Sequence, residues 1–249
     1  MDIEVPFVDS PAPRVDPVWH PKVGVTWQWQ LSGRLDLTVA AQVYDVDLFT
    51  TTPAEVAALH AKGRKVICYL DAGSWEPDRP DSKDFPKRVI GKELDGWPGE
   101  HWLDVRAFDD LVPVLTRRFD LCRAKGFDGV EPDNVDGYAN ASGFPLTAGD
   151  QLAFNRLLAR LAHARNLAVA LKNDLDQVAQ LEPDFDLAVN EQCAQYDECD
   201  LLRPFVRAGK PVLHVEYDLA PPQFCARTKA LGFSSLRKDL DLDATRTAC

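Results

Sequence analysis

Short apolar runs alternate with helical patterns eight times along this chain, and that rhythm restricts its fold more than any other feature of the sequence. The runs that read as strands cover residues 26–31, 43–48, 65–71, 129–133, 168–172, 187–191, 211–217 and 233–237. Between them the helix signals are local. Thr52-Pro53-Ala54-Glu55 has the spacing of a capping box with proline at the first helical position, and Gly63 supplies a stop. Leu111, Val114, Leu115, Phe119 and Cys122 fall on one helical face that ends at Gly126. Thr147 and Asp150 repeat the capping-box spacing ahead of Leu152, Leu157, Leu158 and Leu161. Alternating strand and helix imply a parallel sheet covered by helices, and eight repeats favour closure over an open sheet. The expectation is a single α/β domain folded as a TIM-like (β/α)8 barrel. Its 249 residues suit that architecture, which commonly takes about 250.

Two segments depart from the rhythm. Residues 1–22 hold five prolines and no periodicity, so they read as an irregular lead-in to a barrel spanning 23–249. Residues 74–104 are too long for an ordinary strand-to-helix loop and are rich in Trp, Pro and Asp. Trp75, Trp97 and Trp102 lie in this insertion. They read either as a small satellite core or as platforms for the apolar face of a sugar ring.

Composition excludes several partner classes. Thirty-nine acidic against 28 basic residues leave a formal charge of −11, which repels phosphate backbones, so nucleic acid is not expected as a ligand. No stretch approaches the roughly 18 unbroken apolar residues of a membrane span. The six cysteines contain no C-x-x-C and accompany no clustered His, so disulfides are a better reading than zinc. Cys193 is expected to pair with Cys199 and Cys225 with Cys249, leaving Cys68 on a buried strand and Cys122 on a helix face as thiols. Such bridges belong in an oxidising compartment, and the expectation is a secreted monomer whose leader peptide has been removed.

Polar residues finish most of the apolar strands, where a barrel of this kind places its active site. Asp47 ends the second, Asp71 the third, and Glu131, Asp133, Asn134 and Asp136 the fourth. Lys172 and Asn173 close the fifth, Glu191 the sixth, and Glu216 with Tyr217 the seventh. Carboxylates converging on one cleft repel one another, so that some are held protonated while others stay ionised. Glycoside hydrolysis needs that division: one acid for the leaving oxygen, and one carboxylate as nucleophile or as base.

The motifs GFDGVEPDNVDGY at 126–138, WQWQL at 27–31, YDVDLF at 44–49, VICYLDAGSWEPDRPD at 66–81, GEHWLDVR at 99–106, LKND at 171–174, VNEQC at 189–193 and HVEYD at 214–218 share an order with one known family. In them the chain resembles glycoside hydrolase family 114. The resemblance implies an endo-α-1,4-polygalactosaminidase acting on galactosamine-rich exopolysaccharide of the biofilm type, with Asp133 and Glu191 as catalytic pair. It also implies that Asp71, Lys172, Asn173 and Glu216 help line the sugar sites. Glu131 stands where the family often has Asp. Retention of configuration, with Asp133 as nucleophile and Glu191 as acid/base, follows from the same resemblance.

Three other readings compete. Lys172 at a strand end could serve as a Schiff-base nucleophile in a lyase or aldolase, although surrounding acids would hold it protonated. A non-catalytic sugar-binding barrel would keep the tryptophans but has no need of the acids. Asp and Asn could hold a hard cation, but no His pair sits at ligand spacing, and neither metal nor cofactor is expected.

Overall fold

The structure, a computed structural model, describes residues 18–249, so most of the expected lead-in lies outside the described residues. Eight parallel strands appear where the apolar runs predict them. They are β1 (Trp27–Gln30), β2 (Val43–Asp47), β3 (Lys65–Asp71), β7 (Gly129–Asp133), β8 (Ala168–Lys172), β9 (Leu187–Glu191), β10 (Val212–Glu216) and β11 (Ser234–Arg237). The insertion contributes β4 (Ser74–Trp75), β5 (Ile90–Leu94) and β6 (Trp97–Leu103), and the chain ends in β12 (Thr247–Ala248). Around the sheet lie helices α1 (Pro53–His60), α2 (Phe108–Lys125), α3 (Ala148–His163), α4 (Val178–Leu181), α5 (Arg203–Arg207) and α6 (Pro221–Ala230). Both predicted capping boxes form, with the Thr52 and Thr147 hydroxyls accepting from the amides of Glu55 and Asp150.

Side-chain alternation divides the core into two layers. Val66, Cys68 and Leu70 of β3 face outward, and there they meet Leu115, Phe119 and Cys122 of α2. Trp27, Trp29, Val43, Ile67, Ala170, Val189, Leu213, Val215 and Leu236 fill the barrel interior instead. Their bulk makes the lower barrel a packed plug, and a cleft opens at the C-terminal strand ends.

Closure is unusual. The nine-stranded sheet runs β1-β2-β3-β7-β8-β9-β10-β11-β12, curled but open, with β12 antiparallel to β11. Between β11 and β1 the contacts are made by side chains and by the C-terminal tail. The Trp27 indole donates to the Ser234 carbonyl at 2.8 Å, Gln28 donates to the Ala244 carbonyl at 2.9 Å, and the Leu31 amide donates to the Leu242 carbonyl at 2.9 Å. The Cys225–Cys249 disulfide pins the end of that tail to α6. The insertion is a three-stranded antiparallel sheet, β4-β6-β5, rather than an irregular loop. Asp95 and Gly96 turn its hairpin, with Gly96 at φ +84°.

One cysteine expectation is overturned. Cys193–Cys199 and Cys225–Cys249 pair as predicted, but Cys68 and Cys122 are bridged too, with Cα atoms 6.0 Å apart. Sequence periodicity placed each of them correctly on a buried face. It could not say that the outward face of β3 lies directly under α2. This bridge spans 54 residues against 6 for Cys193–Cys199, and chain-entropy arguments assign the longer loop about 4 kcal/mol and the shorter about 2 kcal/mol. Cys68→Ala/Cys122→Ala should therefore lower the urea midpoint more than Cys193→Ala/Cys199→Ala. Equal midpoints would refute that ranking.

Candidate active site

Alternation along β7, β8 and β9 sends Glu131, Asp133, Lys172 and Glu191 to the same place. The Lys172 ammonium lies 3.0 Å from Asp133, 3.2 Å from Glu131 and 3.3 Å from Glu191. It also sits 4.8 Å from the centroid of the Trp29 ring, near enough for a cation–π contact. Burial opposes the charge on Lys172, yet the carboxylates of Asp133, Glu191 and Glu131 outweigh it and raise its pKa well above the usual lysine value. A protonated amine has no lone pair for attack, which removes the nucleophile from the Schiff-base reading.

Asp133 and Glu191 are also held from a second side. The Tyr69 hydroxyl donates to Asp133 Oδ2 at 2.8 Å, and the Asn134 amide donates to Oδ1 at 2.7 Å. The carbonyl of Asp133 accepts from the amides of Ala72 and Gly73 at 3.1 and 3.0 Å. Only glycine fits at 73, because a Cβ there would stand 1.7 Å from the Asn134 carbonyl oxygen. Glu191 accepts from the Tyr217 hydroxyl on Oε1, and from Asn173 on Oε2 at 3.2 Å.

A shared backbone device aims these strand ends. Immediately after Asp133, Lys172 and Glu191 the chain turns left-handed, at Asn134 (φ +58°), Asn173 (φ +48°) and Gln192 (φ +63°). Asparagine tolerates that region better than most residues, and two of the three positions use it. The bends stop the strands at the point where the side chains must meet.

Above this cluster opens a cleft of about 960 Å³ with acidic walls. Glu76, Glu93 and Glu100 of the insertion line it, together with Asp136, Asp174 and Asp176 from the segments that follow β7 and β8. Burial, then repulsion by Glu76 and Asp133, pushes Glu100 up to about 7. Burial and Asp133 push Asp136 up to about 6, and burial with Asp136 pushes Asp174 up to about 8. A cleft whose acids repel one another favours a cationic occupant.

The family model for glycoside-hydrolase family GH114 matches residues 8–249. The chain belongs to this family. A crystal structure of Aspergillus fumigatus Ega3 in complex with galactosamine is 39% identical and superposes with a TM-score of 0.89, covering 96% of this chain and all of that one. The glycoside hydrolase domain of PelA from Pseudomonas aeruginosa is 16% identical with a TM-score of 0.70, over 90% of this chain and 98% of its own, which speaks for the fold alone. An uncharacterized protein of Deinococcus radiodurans is 27% identical over 85% of this chain and 76% of its own length.

In this GH114 glycoside hydrolase, Asp47, Trp97, Trp102, Asp133, Asn134, Asp136, Lys172, Asn173, Glu191 and Tyr217 all line the cleft. The remaining sequence candidates lie behind its surface. Glu131 is fully buried below Lys172, while Asp71 is occupied by Ser74 and Asn134. Glu216 faces outward, as alternation with the inward Val215 and Tyr217 requires, and binds His214 at 2.8 Å and the Ala194 amide at 2.8 Å. Trp75 packs in the insertion and donates to the Ser82 carbonyl at 2.9 Å. Sequence reasoning passed over Tyr69, Glu76, Glu100 and Asp174 on the cleft wall, and Asp45, which is fully buried beside Glu131. Period two was the available signal for Tyr69 and Asp45, since each lies two residues before a strand-end acid.

Lys172→Met would leave Asp133, Glu131 and Glu191 crowded without a counter-charge, at a cost of about 3–5 kcal/mol near neutral pH. Burial already raises the pKa of Glu131, and losing the ammonium that lowers it would raise it further, so the loss should shrink as pH falls towards about 4, where the unfolded carboxyls also take up protons. Urea unfolding at several pH values checks this; a pH-independent loss would show that packing alone was disturbed.

Proposed function

We propose that Asp133 and Glu191 are the reacting carboxylates with which this glycoside hydrolase cleaves an α-1,4-linked, galactosamine-rich polysaccharide, internally and with retention of configuration. One observation carries the assignment. Both carboxylates touch the same ammonium, at 3.0 and 3.3 Å, so their nearest oxygens are no farther apart than those two distances end to end. Sharing one ammonium suits a retaining pair, whose carboxyl groups lie about 5–5.5 Å apart, better than an inverting pair, which needs about 6.5–9.5 Å to admit a water between base and sugar. Asp133 attacks the anomeric carbon while Glu191 gives its proton to the departing glycosidic oxygen. Water, deprotonated by Glu191, then releases the sugar from Asp133. Lys172 reduces the repulsion between the two carboxylates, and Tyr69 and Tyr217 fix their orientation.

The substrate class rests on charge and on likeness. An acidic cleft suits a polymer of free amines, and the 39% identical Ega3 was solved with galactosamine. Three disulfides suit an oxidising, extracytoplasmic setting, and among the described residues no helix is long and apolar enough to cross a membrane. A secreted precursor whose leader is cleaved fits that setting.

Asp133→Asn and Glu191→Gln keep shape and lose the ionisable group, so each should cut turnover on galactosamine polymer by about 10²-fold or more with the circular dichroism unchanged. Either variant retaining near-normal turnover would overturn the pairing.

The tryptophans should separate by exposure. Trp97 is 50% exposed on the cleft rim, so Trp97→Ala should raise KM for long polymer while kcat falls less, because uniform binding energy is expressed in KM. Trp75→Ala should lower the melting temperature instead, and equal kinetic effects for the two variants would contradict this division.

A further inference from the structure

Two carboxyls that take no part in the reaction lie beneath the reacting pair. Asp45 of β2 and Glu131 of β7 point into the barrel from either side of β3, where they stand opposite Ile67 and Tyr69. Both are 0% exposed, and they hydrogen-bond to each other. Apart from that contact, all four of their oxygens lack a hydrogen-bond donor among the described residues. Trp29 is the register partner of Asp45, yet its indole N–H has no acceptor, so it does not serve them. The cation they meet is Lys172, whose ammonium lies 3.2 Å from Glu131 Oε1.

Two ionised carboxylates do not stay in contact in a dry interior, because their repulsion adds to the cost of burying each charge. Two neutral ones would leave the ammonium unmatched on that side. One proton between them meets both demands: the protonated carboxyl donates, and the ionised one accepts and faces the cation. Contact with Lys172 places the charge on Glu131. Burial, then the charge of Glu131, holds Asp45 well above the usual aspartate range, so the proton belongs on Asp45.

Lys172 carries this arrangement up to the reaction. Its ammonium also lies 3.0 Å from Asp133 and 3.3 Å from Glu191, so an excess of positive charge there would draw the proton off Glu191, which must give one to the glycosidic oxygen. The other groups facing the cluster supply no charge at neutral pH. Tyr69 and Tyr217 are held neutral by burial and by the acids around them, and the inward residues of β1, β10 and β11 are Trp27, Trp29, Leu213, Val215 and Leu236.

We propose that Asp45 and Glu131 are positioning residues: they share one proton, held on Asp45, and the negative charge left on Glu131 anchors Lys172 and keeps Glu191 protonated for its part as acid. The inference rests on the assignment of Asp133 and Glu191 as the reacting pair. Neither Asp45 nor Glu131 lines the cleft, so both act through the ammonium and not on the sugar.

The pH dependence of kcat on galactosamine polymer separates the two carboxyls. Glu131→Gln removes a negative charge behind Lys172, so the basic limb of the profile, where Glu191 loses its proton, should move down by about one pH unit. Asp45→Asn exchanges an O–H donor for an N–H donor and alters no charge, so that limb should stay in place whatever the effect on kcat. Infrared difference spectra of the free enzyme give a second readout that needs no substrate. At about pH 9, well above ordinary carboxyl values, a protonated-carboxyl stretch should be present in wild type and in Glu131→Gln and be lost in Asp45→Asn. An unmoved limb in Glu131→Gln, a shifted limb in Asp45→Asn, or the same carboxyl band in wild type and Asp45→Asn would each overturn the pair. If Glu131→Gln does not fold, the band and the limb of Asp45→Asn decide. Near-normal turnover by Asp133→Asn or Glu191→Gln would overturn the reacting pair instead, and the infrared band would still show where the buried proton sits.

Discussion

A single buried ammonium organises the upper barrel. Lys172 cannot be carried into the interior as a charge unless acids meet it there, and three do, at 3.0 to 3.3 Å. Glu131 and Asp133 come from one side of β8 and Glu191 from the other, so the lysine sits where β7 and β9 can both reach it. The carboxylates need Lys172 equally. Without it, groups brought this close would repel, and the strand ends that carry them would have to separate.

The surrounding structure fixes the approach of these strands from several directions. The left-handed turns at Asn134, Asn173 and Gln192 end β7, β8 and β9 immediately after Asp133, Lys172 and Glu191. Gly73 lets the loop after β3 press against the backbone beyond Asp133, and the Ala72 and Gly73 amides hold that backbone in place. Below, the tryptophans and aliphatic residues of the inner core keep water out and make the floor under the ammonium. Disulfides brace the periphery: Cys68–Cys122 ties the strand of Tyr69 to α2, and Cys193–Cys199 closes the loop that follows Glu191.

The open seam of the barrel shows another way in which the cleft depends on distant parts of the chain. Since β1 and β11 do not pair directly, the tail after β11 fills the gap, and Leu240, Asp241 and Leu242 thereby become part of the cleft lining. Lys238 holds that tail from beneath, donating to the carbonyls of Asp243 and Thr245 at 2.5 and 2.8 Å. Burial lowers the pKa of this lysine to about 8 despite the nearby aspartates.

Periodicity and capping signals in the sequence were enough to place eight strands, the two capping boxes and the acids at the strand ends, because these depend on residues close together along the chain. Alternation within each strand went further, and would have turned Glu216 outward and drawn in Tyr69 and Asp45 had it been applied to every residue. Only the tertiary structure decided which groups meet. Cys68 and Cys122 find each other across 54 residues, and Lys172 gathers acids from two neighbouring strands. The seam, too, was hidden, since local pattern fixes how many strands form but the curl of the sheet and the path of the tail determine whether the last strand reaches the first.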